Sequence, residues 1–348
     1  MTCQSIVLIT GGAGYIGSRL VPKLLAAGYR VRVLDAEYFI NGLLPSIAHP
    51  HFEFMKGDIR DKFAVEAALS GVGTVIHLAA VANDPSFSCD AELSRSININ
   101  CLPHLMGSAK SSGCRRFIYA SSASVYGINE QSLVDEHQPC VPITDYSRFK
   151  AEGESVLFSL TNATFETVAV RAATVCGWSP RQRLDLTVNT LTASALARRE
   201  ITVFGGGQYR PNIHIDDLCR LYTMLVQCEV LGQLCGRAVN AGCENHTVSN
   251  IAIEVKQIVD RYFGASIPIK TTASDDVRSY RLDSAWVQRA LGFECVYTIR
   301  DAVLEICERF QAGWFNGSSD ILTDPRYHNV RNMQRTDWSF LSSGGRPC

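Results

Sequence analysis

The stretch between Ile6 and Asp35 constrains the fold more strongly than any other part of the chain. Ile6 to Thr10 is a short apolar run rich in β-branched side chains, which is typical of a strand buried on both faces. A glycine-rich turn follows, and Ile16 to Ala27 then repeats apolar residues at helical spacing. A second apolar run, Val31 to Leu34, comes next. This order predicts a strand–turn–helix–strand unit at the start of a parallel α/β sheet.

The turn carries glycines at G-x-x-G-x-x-G spacing, and an acidic residue ends the second strand. Gly11, Gly14 and Gly17 would let the backbone turn tightly and let a pyrophosphate approach the free N–H groups of the helix. Asp35 lies about 20 residues past the turn, where a carboxylate can accept hydrogen bonds from an adenosine ribose. It would repel a 2′-phosphate, so the pattern favours NAD over NADP. The alternative is a structural turn beside a solvated Asp35.

Composition argues against several functional classes. The 348 residues are 46% hydrophobic and 19% charged, which is ordinary for a globular protein. The net charge of −1 gives no reason to expect nucleic acid or an anionic membrane as a partner. No apolar run approaches the roughly 20 residues of a membrane span. The N-terminus enters a core strand directly, so we expect no signal peptide.

The 13 cysteines are irregularly spaced and include no C-x-x-C. An odd number in a long α/β chain argues against a disulfide framework and favours a cytoplasmic location. Cys101, Cys219 and Cys228 lie in apolar helical patterns and are expected to be buried thiols, whereas Cys348 could be exposed. No cysteine–histidine cluster has the spacing of a metal site, so no metal is expected.

Three further apolar runs extend the predicted sheet: Phe52 to Lys56, Thr74 to Leu78 and Arg116 to Ala120. Asp58 and Ile59 follow the first of these and would lie near an adenine. Alternatively, Asp58 could cap the helix that comes next.

The run that begins at Thr74 leads into His77, Leu78, Ala79 and Ala80. The small residues there would let the backbone approach a cofactor closely, whereas His77 is expected to pack in the core. A polar segment follows and is expected to form a loop and the start of a helix. At its end, Asn98 could bond either the cofactor or the backbone.

A serine-rich turn and a later helix supply candidate groups for proton transfer. Ser121 to Gly127 follows a strand at its carboxyl end, where ligands bind in such sheets. Tyr146 and Lys150 are four residues apart in a helical segment and would share one face. A lysine ammonium there would lower the tyrosine pKa and make the phenol a usable acid or base. Ser122 could donate to the same substrate oxygen. The alternative is an ordinary tyrosine and lysine on an amphipathic helix.

Taken in order, these segments resemble the extended short-chain dehydrogenase/reductases of the nucleotide-sugar epimerase/dehydratase family. The resemblance implies an α/β fold, with a Rossmann-like doubly wound parallel sheet and a smaller α/β substrate domain. It also implies NAD as cofactor and a nucleotide-diphosphate sugar as substrate. The matching segments are GGAGYIG (11–17), Asp35, GDI (57–59), HLAA (77–80), SSASVYG (121–127), YSRFK (146–150), RPNIHIDD (210–217) and, more weakly, DVRSYRLDSAWVQRALGF (276–293).

The resemblance assigns roles to individual residues. Ser122, Tyr146 and Lys150 match the catalytic serine, tyrosine and lysine, and Arg210 matches an arginine that binds the nucleotide diphosphate. Asp185 and Asn189 could contact the substrate or could serve helix capping and a solvated face. The cofactor contacts implied are Gly11, Gly14, Tyr15, Ile16, Gly17, Asp35, Asp58, Ile59, Leu78, Ala79, Ala80, Asn98, Tyr146 and Lys150. The substrate contacts implied are Ser122, Ser124, Thr174, Asn189, Arg210 and Arg278.

The chain also departs from the family pattern. Family dehydratases carry an Asp-Glu pair before the Val-Tyr-Gly, where this chain has Ala123 and Ser124. A glutamate used by related decarboxylases and a cysteine found in fucose-synthase-type reductases are also missing from this turn. Thr174 stands where many epimerases have an asparagine. A second phosphate-binding arginine expected just upstream of the DVRSYR segment is absent, and Arg278 or Arg281 would replace it.

The expected domain organisation follows the family. The resemblance implies a homodimer formed through helices near residues 96–112 and 146–160, whereas an apolar helix face there could equally be ordinary core. The predicted divisions are 1–175 for the NAD-binding domain, with a return segment near 212–242, then 176–318 for the interleaved substrate domain and 319–348 for a polar tail. Within the return segment, Ala238 to Gly242 would rejoin the large sheet.

These observations lead to one favoured function and two alternatives. The favoured function is a nucleotide-sugar 4-epimerase, in which Tyr146 takes the proton of the sugar 4-hydroxyl while C4 passes hydride to NAD⁺. The 4-keto sugar would rotate and receive the hydride on its other face. A net oxidation or reduction at C4 would use the same residues. A non-catalytic NAD-binding sensor is the third possibility, and the intact set of Ser122, Tyr146 and Lys150 argues against it.

Overall fold

The computed structural model describes residues 5–39, 47–129, 133–264, 266–274 and 278–335, the side chains of Phe87 and Arg335 excepted. The first two residues of the DVRSYR segment, the end of the predicted tail from residue 336 and Cys348 lie outside this range. None of the helices in the described part of the chain combines the length and apolarity that a membrane span needs.

Strands and helices alternate through most of the chain. The strands are β1 (Ile6–Thr10), β2 (Val31–Asp35), β3 (Phe52–Lys56), β4 (Val72–His77), β5 (Arg116–Ser122), β6 (Leu133–Val134), β7 (Glu166–Ala172), β8 (Thr174–Cys176), β9 (Ile201–Phe204), β10 (Tyr209–His214), β11 (Arg237–Ala241), β12 (Glu244–Thr247), β13 (Ile269–Thr272) and β14 (Arg281–Leu282). The helices are α1 (Gly17–Ala26), α2 (Lys62–Leu69), α3 (Asp84–Cys89), α4 (Ala91–Arg95), α5 (Leu102–Ser111), α6 (Asp145–Ser159), α7 (Thr187–Arg198), α8 (Ile215–Gln227), α9 (Val248–Phe263), α10 (Ala285–Leu291), α11 (Ile299–Gln311) and α12 (Asn329–Arg335).

Seven parallel strands form the large sheet, in the order β11-β7-β5-β4-β1-β2-β3. The chain order reverses at β1, which lies between β2 and β4. In open α/β sheets, ligands bind at the carboxyl edge beside such a reversal. The predicted Rossmann-like doubly wound sheet is therefore confirmed.

Helices cover both faces of the large sheet. Leu24 of α1 and Tyr222 of α8 belong to the apolar cluster on one face, and Leu69 of α2 and Leu105 of α5 belong to the cluster on the other. All four side chains are buried. This two-sided burial explains why the strands read as continuous apolar runs rather than as alternating patterns.

The chain leaves the large sheet at Ala173, which separates β7 from β8. Three smaller sheets have the orders β12-β10-β8, β13-β9 and β14-β6, and all their strands except β6 come after this point in the chain. Buried apolar side chains of α7, α9 and α11 form a further core there, among them Leu191, Ile251 and Val303. The chain returns to the large sheet as β11, which pairs in parallel with β7.

Local structure differs from the sequence expectation at two points. The residue that caps α2 is Asp61, whose carboxylate accepts from the backbone N–H groups of Phe63 and Ala64, so Asp58 does not have that role. The polar segment after β4 was expected to be a loop leading into a helix. It forms α3, α4 and a π-helical turn at Ser96–Asn100 instead.

One pair of cysteines contradicts the expectation of free thiols. Cys243 and Cys295 are joined by a disulfide across 52 residues of sequence. Their loops meet only in the folded chain, so the sequence spacing carried no signal of the bond. Cys101 and Cys219 are buried thiols as predicted, whereas Cys228 is half-buried.

We expect the pH dependence of unfolding to report on His77. The side chain is buried as predicted, its Nδ1 lies 2.6 Å from Thr10 Oγ1, and its ring stacks on Tyr119 at 5.8 Å. Burial, with some repulsion from Lys150, lowers the pKa of His77 from 6.5 to about 3. Between these pH values the unfolded chain binds a proton that the folded chain does not. The free energy of unfolding should therefore decrease as the pH is lowered, by up to about 1.4 kcal/mol per pH unit.

Urea unfolding at a series of pH values between neutrality and about pH 5 measures this slope. His77→Gln should flatten it, and His51→Gln, at an exposed position, should not. An identical slope in the His77→Gln variant and the unmodified protein would contradict the assignment.

Candidate active site

A groove opens at the carboxyl ends of β1, β2 and β4, where the strand order reverses. It contains the predicted glycine turn, the acid that ends β2 and the small residues that follow β4. The residues that line the groove include Gly11, Gly14, Tyr15, Ile16, Gly17, Ser18, Asp35, Tyr38, Phe39, Asp58, Ile59, Leu78, Ala79, Ala80, Val81, Arg181, Arg183 and Asn329. Of the predicted cofactor contacts, Asn98, Tyr146 and Lys150 are not among the residues that line it.

The glycine turn lies against the segment that follows β4. Gly11 has a φ of +73°, and a Cβ built on it would lie 2.5 Å from the backbone nitrogen of Ala79. A Cβ on Gly17 would collide with the backbone of Gly12. A side chain at either position would push these segments apart, so the close approach that a dinucleotide requires depends on glycine.

The carboxylate of Asp35 is held by backbone donors. It accepts hydrogen bonds from the N–H groups of Ala13 at 2.9 Å and Glu37 at 2.7 Å. Burial raises the pKa of Asp35, and these two bonds oppose the rise. A fixed carboxylate beside a glycine cradle fits the adenosine ribose of NAD, so the residues present suit this cofactor.

Asp58 lines the groove and has two polar partners. Arg60 donates to both of its carboxylate oxygens, and the Tyr38 hydroxyl donates to Oδ2. Burial opposes ionisation, but the hydrogen bonds from Arg60 and Tyr38 outweigh it and lower the pKa of Asp58. Asp58 therefore stays an anion at the groove.

Asn98 contacts the backbone rather than the groove. Its Oδ1 accepts from the Val81 N–H at 2.8 Å, and its Nδ2 donates to the Val81 carbonyl at 2.9 Å. Both ends of the amide hold the segment after Ala80, so Asn98 has a positioning role, and a direct contact with the cofactor stays a prediction. Of the two possibilities open from the sequence, the structure shows the backbone bond.

Tyr146, Lys150 and Ser122 converge although they come from α6 and the end of β5. The Ser122 side chain is near enough to the phenol of Tyr146 to lower the Tyr146 pKa, and its Oγ lies 2.9 Å from that of Ser124. Lys150 Nζ donates to the Ala120 carbonyl at 2.6 Å and lies 5.9 Å from the centre of the Tyr146 ring. The α6 helix turns both side chains towards the carboxyl end of β5, as their spacing predicts.

The predicted lowering of the Tyr146 pKa is wrong for the protein without ligands. Burial, followed by the charge of Asp84, raises the pKa of Tyr146 to about 12, although Arg183 and Ser122 oppose the rise. Burial lowers the pKa of Lys150 to about 8, against the attraction of Glu154. The Lys150 ammonium donates to the Ala120 carbonyl and not to the Tyr146 phenol. It therefore does not lower the Tyr146 pKa as the sequence predicted.

A buried ion pair supports the serine turn and was missed from the sequence. Arg171 of β7 donates to both carboxylate oxygens of Glu154, at 2.9 and 2.7 Å. Ser121 donates to the same carboxylate, and Arg171 also donates to the Tyr126 hydroxyl at 2.7 Å. The sequence did contain a signal for this ion pair. Arg171 lies inside an apolar strand, and a buried cation needs an anionic partner.

The predicted diphosphate-binding arginines lie next to each other. Arg210 of β10 donates through Nη1 to the backbone carbonyl of Arg278, and the Arg278 side chain forms an ion pair with Asp84 at the start of α3. Thr174 of β8 is half-buried and pairs with Asn212 of β10. Both arginines belong to the part of the chain that carries the smaller sheets.

The structure does not support Asn189 as a substrate contact. Its side chain is fully buried. The amide Oδ1 accepts from the Gly177 N–H at 3.0 Å, and Nδ2 donates to the Arg183 carbonyl at 2.8 Å and to the Tyr15 hydroxyl at 3.1 Å. Asn189 therefore fixes the segment between β8 and α7 against the glycine turn.

That segment carries two arginines that the sequence analysis did not select. Arg183 is paired with Asp185 at 2.9 Å, and Asp185 also accepts from Asn83 Nδ2 at 3.1 Å. Arg181 lines the same groove and bonds Asn329. Their side-chain directions depend on tertiary contacts, so the sequence alone offered no reason to choose them.

One group of potential metal ligands lies close together in the described part of the chain: Asp217, Cys243 and Cys295. Both sulfurs belong to the disulfide. Asp217 is fully buried and accepts hydrogen bonds from the backbone N–H groups of Val296 and Tyr297. The disulfide engages both cysteines, and the backbone hydrogen bonds engage the carboxylate.

Comparison with known proteins places this geometry in context. Residues 7–242 match the NAD-dependent epimerase/dehydratase family. The chain is 32% identical over 213 residues to the uncharacterised protein y4nG of Sinorhizobium fredii, a match that covers 61% of this chain and half the length of that relative. It is 26% identical over 320 residues to a dTDP-glucose 4,6-dehydratase of Streptomyces niveus, with coverage of 88% and 92%.

A crystal structure of a UDP-glucose 4-epimerase from Thermotoga maritima with UDP-glucose has a similar fold. The TM-score is 0.76 at 26% identity, and the match covers 89% of this chain and 98% of that one.

Asn98→Ala should weaken NAD binding, because it leaves the buried N–H and carbonyl of Val81 without partners. Loss of such bonds costs about 1–3 kcal/mol, so we expect a lower melting temperature and a Kd for NAD raised about 10-fold. Calorimetric titration of protein stripped of cofactor measures the Kd. Asn98→Asp keeps the acceptor oxygen, so its Kd for NAD should lie between those of the unmodified protein and Asn98→Ala. Asn129→Ala, which loses a bond to Gln138 elsewhere, should leave the Kd unchanged.

Proposed function

Because the chain belongs to the NAD-dependent epimerase/dehydratase family, we propose that it is a nucleotide-sugar 4-epimerase. The proposed reaction oxidises the sugar 4-hydroxyl to a ketone, lets the 4-keto sugar turn within the site, and reduces it from the other face. As in the whole family, the cofactor is NAD. When bound, NAD⁺ supplies a hydride acceptor and a positive charge that favours ionisation of nearby acids.

In this proposal Tyr146 moves the proton. Its phenolate would take the proton of the 4-hydroxyl and return it after the sugar has turned. The effect of Ser122 on the Tyr146 pKa supports a shared role of the two hydroxyls at one substrate oxygen. A phenol with a pKa of about 12 needs positive charge to ionise near neutrality, and Arg183 already acts in that direction. Lys150, over the ring face, is a second cation at this site.

The composition of the serine turn carries the proposal. Ser122 lies beside Tyr146, but Ala123 and Ser124 occupy the positions at which dehydratases of the family carry an acid and a base. Elimination of water requires both kinds of group, whereas epimerisation through a ketone requires the phenol alone. Asp84, whose charge raises the Tyr146 pKa, forms an ion pair with Arg278.

Arg210 and Arg278 are proposed to bind the diphosphate of the substrate. Their proximity supports this role, because two guanidinium groups can together match the charge of a diphosphate. A bound phosphate could replace Asp84 as the partner of Arg278.

Overall similarity does not choose between the reactions. A 4-epimerase and a 4,6-dehydratase share the same 26% identity with this chain. The residues of the serine turn are the support for epimerisation, and a net C4 oxidation or reduction is the outcome that experiment must separate from it.

Tyr146→Phe should lower kcat by about 10³-fold or more and leave bound NAD in place, since it removes the proton carrier and keeps the ring. Steady-state kinetics and the NAD content of the purified variant measure the two effects. Tyr262→Phe, which removes a hydroxyl bonded to Cys307 and Gln311 in another part of the fold, serves as the control. Undiminished turnover in Tyr146→Phe would refute the assignment.

A panel of UDP-, GDP-, CDP- and dTDP-sugars incubated in D₂O without added cofactor should yield a C4 stereoisomer by NMR. We expect no deuterium at C5, because epimerisation through the ketone returns the original hydride to C4 and does not require the C5–H bond to break. Stoichiometric change in NADH would show net redox chemistry instead. Loss of water with deuterium uptake would show dehydration.

A further inference from the structure

A buried arginine at the cofactor groove forms no ion pair with any carboxylate in the part of the chain that the structure describes. Arg181 is 3% exposed. Its Nη2 donates to Asn329 Oδ1 at 2.6 Å and its Nε to the Phe39 carbonyl at 3.4 Å, and the guanidinium carbon lies 4.9 Å from the centre of the Phe39 ring. Within the described ranges, no carboxylate lies within 4.0 Å of it, whereas the neighbouring Arg183 is paired with Asp185.

This arrangement leaves positive charge in a desolvated position. Burial, with repulsion from Arg183, lowers the pKa of Arg181 to about 9, although Asp185 and Asp35 attract it. An amide oxygen and a carbonyl satisfy hydrogen bonds but do not supply an opposite charge. Buried cations are ordinarily paired, so a site of this kind favours an anionic ligand.

The position of Arg181 identifies the part of the cofactor that it can reach. Its backbone N–H donates to Ser18 Oγ at 3.3 Å, and Ser18 follows Gly17 in the first turn of α1. The N-terminus of the helix after a glycine turn is where the diphosphate of a dinucleotide binds. Phe39, under the guanidinium, follows β2 and Asp35 on the adenosine side of the same groove.

A segment near the C-terminus holds Arg181 in this position. Asn329 is buried, its N–H donates to Asp185 Oδ2 at 3.1 Å, and the preceding Tyr327 accepts from the Leu184 N–H at 2.8 Å. Met333 is buried in the core on one face of the large sheet. Residues 327–335 are therefore packed against the groove from outside the dinucleotide-binding unit, and we call them the C-terminal strap.

We propose that Arg181 neutralises the diphosphate of bound NAD and that Asn329 of the C-terminal strap positions it, so that the cofactor is retained between turnovers. This role concerns cofactor binding and does not depend on which sugar reaction the enzyme performs. Arg181 is a binding residue in this proposal, and Asn329 is a positioning residue.

The test compares ADP, which carries the diphosphate, with adenosine, which lacks it. Both are titrated calorimetrically into protein freed of NAD. Arg181→Gln should weaken ADP binding about 10- to 100-fold, as expected for loss of a charge-assisted contact, and leave adenosine binding unchanged. The purified variant should also carry less NAD. Arg237→Gln, at an exposed position on the far edge of the sheet, should change none of these values.

A structural role alone would give a different pattern. If Arg181 served the fold, Arg181→Gln would lower the melting temperature of the cofactor-free protein and change ADP and adenosine binding equally, and that result would overturn the proposal. We expect that melting temperature to be unchanged or higher, because the substitution removes a buried charge. Should Arg181→Gln fail to fold, Arg181→Lys keeps the charge and should give an intermediate loss for ADP alone.

Two further measurements complete the test. Asn329→Ala should weaken ADP binding less than Arg181→Gln and should speed the release of NAD into a scavenging assay. Unchanged release would overturn the role of the strap. If the unmodified protein bound NADP more tightly than NAD, and Arg181→Gln removed that difference alone, Arg181 would read a 2′-phosphate and the proposal for the diphosphate would be wrong.

Discussion

The contact between the glycine turn and the end of β4 is the constraint on which the remaining structure depends. The backbone of Gly11 approaches Ala79 so closely that a Cβ would lie 2.5 Å from its nitrogen. This approach leaves the N-terminus of α1 open at the edge where the strand order reverses. Asn98 fixes the same edge through Val81, and Asn189 ties the glycine turn to the segment after β8 through the Tyr15 hydroxyl. Backbone packing and neutral hydrogen bonds therefore form the cofactor groove, and ion pairs are not needed to shape it.

Charge is then distributed around this groove in pairs. Glu154 and Arg171 neutralise each other beneath the serine turn, and Arg183 and Asp185 do so beside the groove. Such pairs hold polar side chains in a region of low dielectric, where their orientation matters more than in water. Lys150 and Arg181 differ, because their closest polar partners in the described structure are neutral oxygens. Both sites are thereby suited to a ligand that brings negative charge or a developing oxyanion.

The sequence was informative where local and global requirements agree. The observed bounds of β1 and β3 match their predicted apolar runs. The errors concern side-chain partners. Asp58 was considered as the cap of α2, and the folded backbone gives that role to Asp61. The phenol of Tyr146 has a raised pKa because burial and Asp84 act on it, while Lys150 is bonded to a carbonyl. The disulfide joins cysteines whose loops meet only after folding.

By itself, the sequence determined the fold class and the position of the groove, because hydrophobic periodicity and the glycine spacing act within about 30 residues of chain. It also placed Tyr146 and Lys150 on one helical face, which follows from a spacing of four. Only the tertiary structure decided which charges are paired and which remain for a ligand. Arg181 and Asn329 are 148 residues apart, and their hydrogen bond exists because the chain returns to the groove after crossing the smaller sheets. Burial and partner choice are properties of the assembled fold, so no local pattern can encode them.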